Sequence, residues 1–152
     1  MVKVLLIEDE PHKRDELSGH LMRYFGSRLE LEIADSVKSA IDRVALNDYG
    51  LIVLDMALPT FSIGEASSDG GLDQALGGVE ILRSLRAHNK SQRIIIVTQY
   101  PDILLSGRRV KIAKAQLALE KKYRQKIIGA VLYKYRSPTN RSKIETLLRR
   151  VH

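Results

Sequence analysis

With 152 residues, 44% of them hydrophobic and 28% charged, the chain has the size of one domain and the composition of an ordinary globular protein. It has no cysteine, which excludes disulfides and thiolate metal sites, and no stretch approaches the roughly 18 continuous apolar residues of a membrane span; with residues 1–7 running straight into acids rather than forming a secretory signal, a cytoplasmic location is expected. The net charge of +7 is unevenly spread: residues 108–152 hold 14 Lys/Arg against two acids, Glu120 and Glu145, whereas residues 1–107 hold 11 against 16, so the basic third offers a surface to something negative.

Strands and helices alternate along the chain. Val2–Ile7 reads as a buried strand, and Pro11 opens a helix to about Phe25 with Leu17, Leu21 and Tyr24 at helical spacing. Leu29, Leu31 and Ile33 alternate with Glu30 and Glu32, the pattern of a half-exposed edge strand. Asp35 or Ser36 caps a helix through Leu46, and Leu51–Asp55 is the third strand. Residues 60–77, rich in Gly, Ser and Asp, read as an inserted mobile loop. Val79–Ala87 returns to the helical period, and Arg93–Thr98 is a fourth strand, apolar on both faces. The spacing of Ile112, Ala115, Leu119 and Tyr123 predicts an extended basic helix over about 108–126; Ala130–Lys134 is a short fifth strand, and Ser137-Pro138 opens a last helix.

Five strands alternating with helices predict an α/β fold, a doubly wound parallel sheet forming one domain over residues 1–152. Right-handed crossovers bring the strand C-termini to one edge, where such sheets place their ligands. Glu8, Asp9, Asp55, Thr98 and Lys134 all fall at those ends. Each alone has an ordinary explanation: Asp55 a loop carboxylate before a Pro-containing turn, Glu8-Asp9-Glu10 an acidic helix entry, Thr98 a β-former, Lys134 a solvated charge. Their joint placement is the stronger signal, because three carboxylates at adjoining strand ends are suited to a hard cation beside a carboxylate nucleophile. Other motifs are weaker. Gly70-Gly71 and Gly77-Gly78 lack the Lys-Ser/Thr of a phosphate loop and read as turn or loop glycines, and His12, His20, His88 and His152 form no close ligand pair.

The runs Ile7-Glu8-Asp9-Glu10-Pro11, Leu54-Asp55-Met56-Ala57-Leu58-Pro59, Gly78-Val79-Glu80-Ile81-Leu82-Arg83, Val97-Thr98 and Tyr133-Lys134 resemble, in order, the motifs of response-regulator receiver domains. The resemblance implies a flavodoxin-like sheet of order 2-1-3-4-5. It implies that Asp55 takes a phosphoryl group from a histidine kinase or phosphotransfer protein. By the same resemblance Mg²⁺ is held by Asp9, Asp55, the Ala57 carbonyl and, through water, Glu8, while Lys134 and Thr98 bind phosphoryl oxygens. Such a protein is an acceptor that at most phosphorylates and dephosphorylates itself, not an enzyme acting on others.

Three departures from the family stand out: the long stretch from Pro59 to Gly78, the long stretch from Thr98 to Lys134, and Tyr135 in place of the usual Pro after the Lys, with Gln99 where a small residue is common. The usual aromatic of the fifth strand is displaced, with Val131 in its place and Tyr133 and Tyr135 flanking Lys134. A helix from Pro138 to the end at His152 leaves no room for an effector domain, so a stand-alone receiver is expected. Its output would pass through the basic region to an acidic protein or to a second copy. The alternative is a scaffold gripping nucleic acid with Arg108, Arg109, Lys111, Lys114, Lys121, Lys122, Arg124 and Lys126, although the sparse aromatics argue against a base-stacking platform.

Overall fold

The computed structural model describes residues 1–58 and 70–151, with only the backbone for 70–76. Its elements run β1 (Val2–Ile7), α1 (Pro11–Phe25), a 3₁₀ turn (Gly26–Arg28), β2 (Leu29–Ala34), α2 (Val37–Leu46), β3 (Leu51–Leu54), α3 (Gly70–Ala87), β4 (Arg93–Thr98), β5 (Asp102–Leu105), β6 (Arg108–Lys111), α4 (Ile112–Tyr123), β7 (Lys126–Leu132) and α5 (Thr139–Leu148). Five strands form a parallel sheet in the order β2-β1-β3-β4-β7, the doubly wound arrangement with β1 at the switch point, and β5 and β6 form a separate antiparallel pair.

Strand parity divides the core into two layers. Leu5, Ile7, Ile52, Leu54, Ile94 and Ile96 face one side, with the apolar residues of α2, α3 and α4. Val4, Leu6, Leu51, Val53, Ile95 and Val97 face the other, against Leu17 and Leu21 of α1 and Ile144, Leu147 and Leu148 of α5. Because side chains alternate with period two, the first residues past β1 and β3 that share the α1/α5 side are Glu8 and Asp55. The ladder extends beyond the strand ends, with the Glu8 amide donating to the Ala34 carbonyl at 3.0 Å and the Asp55 amide to the Ile7 carbonyl at 3.1 Å. Both acids are thereby fixed in register on one edge.

The structure differs from the sequence expectations in three places. The helix expected from Val79 begins at Gly70, so the second half of the expected 60–77 loop is helical; residues 59–69 lie outside the described ones. Gly77 and Gly78 are therefore helical rather than turn glycines, and a reason for them is visible. A Cβ on Gly77 would sit 2.3 Å from the Leu58 carbonyl oxygen, and one on Gly78 would sit 2.6 Å from Met56 Cα. The pair lets α3 lie directly on the segment just past Asp55, and the Gly78 amide donates to the Met56 carbonyl at 3.0 Å.

The second difference is the expected basic helix over 108–126. Arg108–Lys111 instead pairs with Asp102–Leu105, turning through Ser106 (φ 51°) and Gly107 (φ 78°), and the helix is confined to Ile112–Tyr123. Arg108-Arg109-Val110 has no helical apolar period of its own, and the Gly107 turn joins it to the apolar run Ile103-Leu104-Leu105. The third difference is the last strand of the sheet, which starts at Lys126 rather than Ala130. It carries a bulge: Ile127 pairs with Ile94, but Gly129 pairs with Ile95, leaving Ile128 over.

Candidate functional site

At the C-terminal edge of the sheet, carboxylate oxygens of Glu8, Asp9 and Asp55 all lie within 4.8 Å of one another. Glu8 and Asp55 are buried and Asp9 is half-buried. One Asp55 oxygen, Oδ1, accepts the Ala57 amide at 3.0 Å, which fixes the turn after the strand and leaves Oδ2 facing the pocket. Glu8 Oε2 accepts the Glu10 amide at 3.2 Å at the entry to α1.

A fourth charged group, absent from the sequence expectations, completes the pocket. Lys13, in the first turn of α1, is 1% exposed. Its Nζ lies 2.7 Å from Glu8 Oε1 and 3.4 Å from Asp55 Oδ2, and it donates to the Val97 carbonyl at 3.2 Å. It also sits 5.4 Å from the centre of the Tyr133 ring. The signal is present in the helical period: Lys13, Leu17, Leu21 and Phe25 form one stripe at four-residue spacing, all buried. A stripe that buries three apolar residues carries its fourth member, one turn earlier, under the sheet edge as well.

Lys134 does not join the pocket. It is exposed and makes no ion pair with Glu8, Asp9 or Asp55 within 4.0 Å. Past the bulge in β7, Val131 and Tyr133 face the α1/α5 layer and Ala130 the other one, and Lys134 lies beyond the end of the strand. Buried Asn140 then holds the Lys134 backbone on both sides, its Oδ1 accepting the amide at 3.0 Å and its Nδ2 donating to the carbonyl at 2.7 Å. Thr98 is fully buried at the end of β4, where its Oγ1 accepts the Tyr100 amide at 3.2 Å. Of the displaced aromatics, Tyr133 is buried and Tyr135 is exposed.

The electrostatics of the pocket are those of excess negative charge taken out of water. Burial pushes the Glu8 carboxyl up to about 8, the Asp55 charge adding to the shift and Lys13 opposing it. Burial likewise raises Asp55, against the pull of Lys13 and the Ala57 amide, and raises Asp9. One ammonium among three carboxylates leaves the pocket short of positive charge. A hard divalent cation with oxygen ligands is the chemistry that such a donor set accommodates, so the residues present fit Mg²⁺.

The eight basic residues considered as a partner surface are all exposed, but they do not form one helix face. Arg108, Arg109 and Lys111 lie on the hairpin, Lys114, Lys121 and Lys122 on α4, Arg124 in the left-handed turn after it, and Lys126 at the start of β7.

A parallel sheet of this order with an acidic pocket at its carboxyl edge is an arrangement consistent with the receiver class of signalling domain. The model of the response regulator receiver domain matches residues 4–132. The Detocs response regulatory protein DtcB of Vibrio alginolyticus is 30% identical over 133 residues, spanning 86% of this chain and 87% of that protein. Among solved structures, the chemotaxis response regulator CheY4 of Vibrio cholerae is similar with a TM-score of 0.64 at 18% identity, covering 100% of this chain and 99% of that one. The response regulator TrrA of Thermotoga maritima, solved with Mg²⁺ and BeF, gives a TM-score of 0.59 at 20% identity over 97% of this chain and 99% of that one. The chain belongs to the response regulator receiver domain family of two-component signalling. Its members are generally signalling modules rather than enzymes. Among the described residues no helix is long and apolar enough to cross a membrane.

Proposed function

We propose that the chain is a phosphoacceptor, taking a phosphoryl group onto Asp55 from a histidine kinase or phosphotransfer protein. The observation that carries this reading is the convergence of Asp55 with Glu8 and Asp9 within 4.8 Å at the sheet edge. Asp9, Asp55, the Ala57 carbonyl and, through water, Glu8 would hold Mg²⁺, which when bound neutralises the phosphoryl oxygens that a carboxylate nucleophile must approach. In the transfer, the bond from phosphorus to the donor nitrogen breaks with its electron pair leaving on that nitrogen, and a bond forms from an Asp55 oxygen to phosphorus. The Ala57 amide on Oδ1 orients the carboxylate for this step. The Thr98 hydroxyl, whose proton is not used by its bond to Tyr100, stands at the end of β4, the strand beside β3, as the donor for a phosphoryl oxygen.

Incubation with phosphoramidate and Mg²⁺ should add one phosphoryl mass, labile to hydroxylamine, and Asp55→Asn should abolish it. An adduct that persists in Asp55→Asn would exclude Asp55 as the acceptor. For the output, the hairpin, α4 and the start of β7 form a basic surface suited to an acidic protein partner. Leu117 supports this, being 71% exposed on α4 between Lys114 and Lys121, one turn to either side. The dispersal of the cations over the hairpin, α4, the turn after it and β7 gives no single basic helix to enter a nucleic-acid groove, so an acidic protein is the partner favoured over nucleic acid. The domain, with its hairpin insertion, is read as one unit over residues 1–152.

A further inference from the structure

We propose that Lys13, from helix α1, supplies the buried positive charge that receives the phosphoryl group on Asp55, the task that the family resemblance assigns to Lys134. The proposal rests on the reading of Asp55 as the acceptor and adds to it the identity of the phosphoryl-binding cation. Three observations support it independently. The Lys13 ammonium is already at the reacting group, 3.4 Å from Asp55 Oδ2, on the oxygen that the Ala57 amide does not occupy. It is held there from outside the acids as well, by the Val97 carbonyl at 3.2 Å and by the face of Tyr133. Lys134, the competing candidate, is exposed, makes no ion pair with Glu8, Asp9 or Asp55, and has its backbone held by Asn140.

The chemistry requires such a group. Transfer replaces the single charge of the Asp55 carboxylate by an acyl phosphate carrying about two, in a buried site where an added unpaired charge is strongly disfavoured. A lysine ammonium can follow the charge as it moves outward, because its four-carbon stem is flexible and its three donors are not fixed in a plane. Lys13 thus has two roles. Before transfer it shares Glu8 and Asp55 with the metal and opposes their mutual repulsion; after transfer it turns from the carboxylate oxygen to a phosphoryl oxygen. The displaced aromatic fits this arrangement, since Tyr133 lies where its ring backs the Lys13 ammonium.

The sharing of acids gives a readout that needs no phosphoryl donor. In Lys13→Met the carboxylates no longer have an internal cation, so Mg²⁺ alone, followed by its shift of the thermal unfolding midpoint or by calorimetric titration, should bind at least threefold more tightly than to wild type. Lys134→Met should titrate like wild type. With phosphoramidate and Mg²⁺ present, Lys134→Met should form the adduct at the wild-type rate, Lys13→Met at least tenfold more slowly, and Lys13→Arg at an intermediate rate because the charge is kept while the geometry changes. A tenfold loss in Lys134→Met would overturn the proposal, and since Lys134 is exposed, that variant tests it even where Lys13→Met does not fold. Wild-type labelling by Lys13→Met would overturn it too, while leaving Asp55 as the acceptor. Absence of any adduct on wild type would instead remove the acceptor reading itself, and the proposal with it.

Discussion

The two edges of the sheet bury polar groups in opposite ways. At the amino edge the buried polar side chain is a neutral amide with every partner supplied. Gln125 Oε1 accepts the Gln92 amide at 2.8 Å, and its Nε2 donates to the Lys90 carbonyl at 2.7 Å and to the Tyr123 carbonyl at 2.9 Å. Gln92 in turn accepts the Tyr49 amide at 2.9 Å. At the carboxyl edge two buried acids and one half-buried acid surround one buried ammonium, and the acids are all pushed above their ordinary values by burial. The amino edge is built to close the fold; the carboxyl edge gives up stability to keep a reactive carboxylate out of water, as functional sites commonly do.

The largest expected effect arises from that contrast and concerns pH. In the metal-free fold Glu8 holds its proton up to about 8, whereas unfolded it loses it near 4.5. Between those values the folded state binds more protons than the unfolded one, so stability should be greatest below this window and fall as pH rises through it. Each unit of separation corresponds to about 1.4 kcal/mol, so a decline on the order of a few kcal/mol is expected between pH 5 and 8, measured by urea unfolding in chelator. Glu8→Gln should flatten the slope, and Mg²⁺ should restore stability at pH 8. A pH-independent midpoint in the wild-type protein would show that the two edges do not differ in this way.

Next in size is the amino edge. Gln125→Ala strands the Gln92 amide and the Lys90 and Tyr123 carbonyls in a buried site, and the loss of such partners should cost about 3 kcal/mol. This cost should be the same at pH 5 and pH 8, because none of the groups titrates there. A strongly pH-dependent loss, read by urea unfolding at both values, would mean that the edge is coupled to the acids across the sheet.

The layout of the sheet and the acidic cluster are legible in the sequence for a physical reason: parallel strands buried on both faces are written as continuous apolar runs, and the residues immediately after them land on one edge. Val4-Leu5-Leu6-Ile7 and Leu51-Ile52-Val53-Leu54 are unambiguous in this sense, and Glu8, Asp9 and Asp55 come directly after them. Lys134 is read from the sequence only by its place after the last strand, and that position fixes neither the exposure nor the partners of a long flexible side chain, which in the structure is exposed and unpaired with the acids. Lys13 is legible in principle, from the stripe it shares with Leu17 and Leu21, but a lysine is ordinarily assigned to the solvated face, and only the acids across the edge make its burial favourable. The hairpin is hidden because Arg108–Lys111 has the composition of a basic helix entry and pairs only with the run just before it. Gly77 and Gly78 suggest a turn by their usual role, whereas their reason is the close approach of Leu58 and Met56.

The smallest expected effect lies on the exposed basic surface. Charge reversal of Arg108, Arg109 and Lys111 to Glu alters exposed groups that form no ion pair among the described residues. Each change should move stability by no more than about 0.5 kcal/mol, and the rate of adduct formation should stay within about twofold of wild type, because exposed charges that make no ion pair with the pocket are screened over roughly 8 Å at physiological ionic strength. What the triple variant should change is capture of an acidic partner, and Leu117→Ser should weaken the same capture without altering its salt dependence. The two variants therefore separate the charged and apolar parts of the surface, while the phosphoryl adduct reports that the pocket is untouched. A loss of adduct in the triple variant would instead show that the hairpin belongs to the phosphotransfer machinery, and the division between a reactive edge and an independent output surface would have to be redrawn.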